Sequence, residues 1–219
     1  RDCLLSRGLG DVYKRQVKAK FIEAQIIETM LLVTVNHQSL IATKAHRVVQ
    51  EAKGRPVMEF GARRAQGYDS ATYGARAAYI GGVAGTATVS AGEMFDIPVV
   101  GTMAHSFVQS FDSEYEAFKA YALTYPDDCV LLVDTYDTLK SGVPHAIEIA
   151  KEVLEPMGKK LKGIRLDSGD ISYLSKRARA MLDVAGLTYV SISASNSLDE
   201  YLIRSLLTVS YTHLRAHET

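Results

Sequence analysis

The 219-residue chain has no tryptophan, two cysteines and five prolines, and its 25 lysines plus arginines are balanced by 25 aspartates plus glutamates. Each scarcity excludes something. Cys3 and Cys129 cannot by themselves build a disulfide framework or a zinc site. Zero net charge provides no overall field to draw the chain to nucleic acid or to an anionic membrane. Apolar runs such as Ile97–Val100 and Val130–Val133 fall far short of the roughly 20 residues that cross a bilayer. Leu4-Leu5 is too small an apolar region for a cleavable signal. The expectation is a reduced, cytoplasmic protein without nucleic-acid or membrane partners. What is present is ordinary globular composition, 47% hydrophobic and 23% charged, with enough chain for one large domain or two small ones.

Short apolar runs recur at intervals of roughly 30 residues, the size of one strand-plus-helix unit. They are Val57–Phe60, Pro98–Val100, Cys129–Val133, Gly163–Leu166 and Tyr189–Ile192. Near-continuous apolar runs without clean alternation suit strands buried on both faces of a parallel sheet. Between them, Asp112–Tyr125 opens on capping residues and stops at Pro126, and Ser141–Leu154 carries one apolar stripe. Ile171–Val184 ends before Gly186, a plausible helix stop, and Ser197–Leu207 starts on a cap. Phe21–Lys53 is rich in helix formers, with Ile22, Ile26, Met30 and Val33 at about helical spacing, and reads as helical packing outside the sheet. The fold class is therefore α/β. A barrel is preferred to an open sheet because a polar motif follows every strand rather than two strands at a switch point.

Those motifs hold the candidate chemistry. Arg63, His105, Asp134, Asp167 and Asn196 each stand just past a strand's carboxyl end, the edge where such folds place their sites. Arg63 and Arg64 offer forks that match phosphate or carboxylate oxygens, against the plainer reading of a solvated basic corner. Gly81-Gly82 and Gly85-Thr86 form a glycine-rich turn able to present backbone N–H groups to an anion. His105, between Thr102 and Ser106, can act as nucleophile or proton carrier, whereas His37, His46, His145, His213 and His217 are read as structural. Asp134 and Asp167 come directly off their strands, while Asp137 and Asp170 lie further on and suit helix caps. Arg165 precedes Asp167 by two residues, so strand alternation puts both on one inward face.

These blocks resemble the nicotinate phosphoribosyltransferase family. They are Glu59-Phe60-Gly61-Ala62-Arg63-Arg64-Ala65-Gln66-Gly67, Gly101-Thr102-Met103-Ala104-His105-Ser106, Val133-Asp134-Thr135-Tyr136-Asp137, Arg165-Leu166-Asp167-Ser168-Gly169-Asp170 and Ser193-Ala194-Ser195-Asn196. They stand in the family's order over about residues 17–207. The resemblance implies an incomplete irregular α/β barrel of type II phosphoribosyltransferase kind over 57–207, with 17–56 a helical segment of a second, flanking domain. It implies ATP-coupled joining of nicotinate and phosphoribosyl pyrophosphate to nicotinate mononucleotide and pyrophosphate, a step of NAD biosynthesis. His105 takes the place of the family's transiently phosphorylated histidine, Asp134 that of the carboxylate orienting it, and Asp167 a third catalytic position. Arg63, Arg64, Thr86, Ala87, Ser106, Arg165, Ser168, Gly169, Ser195 and Asn196 become substrate-binding candidates. ATP enters as its Mg²⁺ complex, with Asp167 and Asp170 as candidate carboxylates for the metal, and no organic prosthetic group is implied. The family resemblance also implies a homodimer.

Ala87 speaks to specificity. In related nicotinamide enzymes an aspartate follows the Gly-Thr pair corresponding to Gly85-Thr86, and an aspartate would repel a carboxylate on the ring. Alanine therefore favours nicotinate over nicotinamide, and a sister nicotinamide or quinolinate enzyme is the less favoured reading. The flanks 1–16 and 208–219 resemble no part of the family and look like translated adaptor sequence. The expectation is an internal fragment with non-native ends, which by itself would have very low turnover or only bind phosphate compounds.

Overall fold

A computed structural model of the chain describes residues 17–209 and 214–218. Within these residues six strands form one all-parallel sheet: β1 (Val57–Glu59), β2 (Gly85–Thr86), β3 (Val130–Leu132), β4 (Gly163–Leu166), β5 (Ser191–Ala194) and β6 (Leu214–Glu218), in the order β2-β1-β6-β5-β4-β3. The outer strands β2 and β3 do not pair with each other, so the sheet is open among the described residues. The expected α/β class with parallel strands is present; closure into a barrel is not seen. Among the described residues, eight α-helices accompany the sheet: α1 (Phe21–Glu51), α2 (Tyr68–Ile80), α3 (Val89–Phe95), α4 (His105–Gln109), α5 (Glu114–Thr124), α6 (Val143–Ile149), α7 (Ile171–Val184) and α8 (Glu200–Val209).

The core follows from the apolar runs. Leu131, Leu132, Ile164, Leu166 and Ile192 on the strands are fully or almost fully buried, together with Phe118, Ile149, Leu154 and Leu182 from the helices. Strands covered on both faces in this way have no polar face to alternate with, hence their continuous hydrophobic sequence. In register, Leu132 faces Arg165 and Arg165 faces Ser193, so the polar residues of β4 and β5 meet near their carboxyl ends. As expected, α1 lies outside the sheet, packed on α2 and α8 and tied to the latter by the Arg204–Glu51 and Lys44–Glu200 ion pairs.

Several boundaries differ from the sequence reading, each for a local reason. Pro98–Val100 is not a ladder strand; it contributes only a bridge from Val99 to Thr86, and the glycine-rich turn Gly85-Thr86 is the strand instead. Proline has no N–H to give a ladder. Gly85 is needed because a Cβ there would lie 2.7 Å from the Pro98 carbonyl oxygen. The expected helix Ser141–Leu154 is α6 between two π-helical turns, Thr138–Gly142 and Ala150–Leu154. α8 starts at Glu200, capped by Asp199 through the Leu202 N–H at 2.7 Å; Ser197, expected as the cap, takes a left-handed backbone at φ 53°. Asp137 and Asp170 are caps as expected, accepting N–H groups from Leu139 and Lys140 and from Tyr173. Strand β6 falls in the stretch read as foreign to the family, where its backbone fills the place between β5 and β1. The flank 1–16 lies outside the described residues.

Candidate active site

The carboxyl ends of β1, β2 and β4, with the Val99–Ser106 segment, surround a cleft of about 650 Å³. Of the sequence candidates, Arg63, Ala87, His105, Ser106, Arg165 and Asp167 line it, joined by Phe60, Thr102 and Leu132. Its centre is an ion-pair network built from three loops.

Arg165 projects from β4 and is spent largely on the protein. Its Nε donates to the Ser195 hydroxyl at 2.9 Å, one terminal nitrogen to Thr102 Oγ1 at 2.7 Å, and the other to Asp167 Oδ1 at 2.7 Å. The guanidinium also stands 5.9 Å from the Phe60 ring centroid. The anion that an inward arginine requires is therefore Asp167. Burial pushes the Asp167 carboxyl up, but the hydrogen bond from Ser195, the Arg165 charge and His105 outweigh it, so its pKa lies below the ordinary aspartate value.

His105 opens α4 and presents both ring nitrogens to partners. Nδ1 lies 3.2 Å from Thr135 Oγ1. Nε2 faces two carboxylates, Asp167 Oδ2 at 3.5 Å and Asp134 Oδ1 at 3.9 Å. Asp134, expected to orient the ring, is the further of the two. Its side chain is only 2% exposed. Oδ2 accepts the Asp167 N–H at 2.8 Å and the Ser168 hydroxyl at 2.6 Å, and buried Oδ1 has no hydrogen-bond partner. Asp134 thus fixes the turn carrying Asp167 and leaves one oxygen aimed at the imidazole.

The other candidates fall around this centre. Ser195 hydrogen-bonds both Arg165 and Asp167, so it orders the pair, while Thr86 is fully buried under Glu59. Arg64 turns from the cleft to Ser197 Oγ at 3.2 Å, and Asn196, at φ 82°, does not line the cleft. Gly169 lies in the exposed turn before α7. Asp170 is committed to its cap, and no group of three or more His, Cys, Asp or Glu side chains among the described residues can hold a metal ion. His145, read as structural, pairs with buried Glu114 at 3.0 Å away from the cleft lining. Sequence reasoning passed over Phe60, Glu59, Thr102 and Thr135. All four lie inside the quoted blocks, and block membership was the only signal available.

A parallel α/β sheet here gathers arginine, imidazole and carboxylate side chains around one cleft at the carboxyl ends of its strands, the edge where such folds place their sites. The model of the nicotinate phosphoribosyltransferase (NAPRTase) family matches residues 56–208, and the chain belongs to that family. A nicotinate phosphoribosyltransferase of Bacillus subtilis is 54% identical over 191 residues, covering 87% of this chain and 38% of the relative. One from Mycobacterium tuberculosis is 53% identical over 192 residues, covering 88% and 41%. The crystal structure of human nicotinic acid phosphoribosyltransferase matches with a TM-score of 0.75 at 30% identity, over 89% of this chain and 49% of that one. The chain thus spans about two fifths of the curated relatives' length. Among the described residues no helix is long and apolar enough to cross a membrane.

Proposed function

We propose that this chain carries the phosphoribosyl-transfer site of a nicotinate phosphoribosyltransferase, which joins nicotinate to phosphoribosyl pyrophosphate and couples the step to ATP through a phosphohistidine at His105. The observation that carries this reading is the convergence of Arg63, His105, Arg165 and Asp167 on one cleft. The parallel sheet is then part of the irregular barrel of type II phosphoribosyltransferases, and 17–56 part of its flanking domain.

The geometry supports a division of labour. With two carboxylates at Nε2, the proton of neutral His105 belongs on that nitrogen, leaving the Nδ1 lone pair as the nucleophile toward a terminal phosphoryl group. As the Nδ1–P bond forms, the bond to the departing nucleotide diphosphate breaks and the ring becomes cationic, where Asp167 and the unpartnered Asp134 oxygen stabilise it. Thr135 holds Nδ1 until substrate arrives. Arg63, exposed at the cleft wall, is the side chain most available to a pyrophosphate, whereas most of the Arg165 donors are engaged by Ser195, Thr102 and Asp167, which keeps the walls in place. When pyrophosphate leaves the sugar, positive charge grows on the ribose and negative charge on the leaving group, which an acid cluster and a guanidinium on opposite walls offset. Mg²⁺ belongs here to the phosphate chains of the substrates. Phe60 offers an aromatic face and Ala87 an uncharged wall for a pyridine ring bearing a carboxylate.

The test is turnover by a full-length protein carrying these residues, with nicotinate, phosphoribosyl pyrophosphate and ATP. Nicotinate mononucleotide should form, and nicotinamide should be used far more slowly. Faster use of nicotinamide would refute the role given to Ala87. For this chain alone, a sheet left open at β2 and β3 favours very low turnover.

A further inference from the structure

The two walls of the cleft that flank Phe60 and Ala87 come from different strand-helix units, and a single carboxylate joins them. Glu59, the last residue of β1, is half-buried. One of its oxygens accepts the Gly61 N–H, and so anchors the turn that carries Phe60 and Arg63. Its other oxygen accepts the hydroxyls of Thr86, at 2.5 Å, and Thr88, at 3.4 Å, anchoring the turn that carries Ala87. The Thr86 oxygen in turn accepts the Thr88 N–H at 2.9 Å, and the Glu59 carbonyl accepts the Ala87 N–H at 2.9 Å. Strand pairing of Glu59 with Thr86 and the backbone bond to Ala87 hold the two main chains together. The carboxylate adds the side-chain tie to Gly61 on one turn and to Thr86 and Thr88 on the other.

Among the described residues, the partners of this carboxylate are neutral dipoles: one backbone N–H and two hydroxyls. Such a carboxylate is poor at attracting an anion and well suited to freezing loops, since its donors reach it from two separate turns. We propose that Glu59 is a positioning residue for ring specificity: it sets the gap between Phe60 and Ala87, and with it the fit of a flat aromatic carboxylate. This rests on the reading of the cleft as a nicotinate site. His105 lies outside the clasp, held by Thr135 and Asp167 from the β3 and β4 side.

The experiment compares Glu59→Ala and Glu59→Gln with wild type in a full-length protein carrying these residues. The glutamine keeps the volume and one acceptor for Gly61, so it guards against simple misfolding of the alanine variant. Loss of a fixed wall should raise the KM for nicotinate roughly tenfold or more in Glu59→Ala and less in Glu59→Gln. Labelling of His105 by ATP should remain at the wild-type level in both. A nicotinate KM unchanged in both variants overturns the proposal, as does a loss of labelling in step with the KM change, which marks a general structural role. A wild-type protein that does not use nicotinate overturns the underlying reading as well, and is recognised before any substitution is made.

Discussion

Gly142 sits in the π-helical turn before α6, with φ −60° and ψ −54°, an ordinary helical conformation that any residue adopts. Helix propensity alone would make Gly142→Ala stabilising by about 1 kcal/mol. Packing opposes it. A Cβ at this position would stand 1.9 Å from the Val133 carbonyl oxygen, 2.6 Å from its carbon and 2.9 Å from its Cα, where real contacts essentially never fall below 3.0 Å. The obstacle is backbone at the end of β3, so nothing can rotate aside; the turn and the strand must separate by about 1 Å, from 1.9 to at least 3.0 Å. Overpacking of this kind costs about 3 kcal/mol, which leaves a net loss of about 2 kcal/mol after the propensity gain. For a chain of this size that lowers Tm by about 4–8 °C. Val133 immediately precedes Asp134, so the same displacement pulls the buried carboxylate from the Asp167 N–H and Ser168. Thermal unfolding of the two proteins followed by circular dichroism checks the first effect. A Tm equal to or above that of the parent would refute the packing argument and leave propensity in control.

Two further outcomes follow from the ionisable groups. Because Asp167 is held below its ordinary pKa, the stability it contributes is complete above the unfolded aspartate value, about 3.9, and is lost as pH falls through the folded value. Asp167→Asn should therefore flatten the decline in urea midpoint between about pH 5 and pH 2; equal declines in both proteins would contradict the assignment. Cys129 is fully buried and its thiol is pushed up to about 12 by burial, so it should resist alkylation at pH 8 in the native protein and react once unfolded. Mass spectrometry of the peptide reads this directly, and rapid native labelling would count against the packing described around β3.

How much of this was legible beforehand depends on the kind of signal. Cys129–Val133 and Gly163–Leu166 announced buried parallel strands because burial on both faces demands continuous hydrophobicity. Ile171–Val184 matched α7 residue for residue, since Asp170 supplies a real cap and Gly186 a real stop. Pro98–Val100 misled because apolar composition does not reveal which backbone has N–H groups to pair, and Gly85 looked like a turn because nothing local shows the Pro98 carbonyl pressing on it. In the site, strand alternation correctly put Arg165 and Asp167 together. It could not say that Arg165 would be engaged by Thr102 and Ser195, or that Asp167 rather than Asp134 would stand nearer His105, because those contacts join loops far apart in sequence.

The proposed chemistry turns on the imidazole at 105 accepting a phosphoryl group within this acid cluster. The most direct measurement incubates a full-length protein carrying these residues with γ-³²P-labelled ATP and maps the acid-labile label. Label should fall on His105 and be lost in His105→Ala. Equal labelling in that variant, or label confined to another residue, would contradict it.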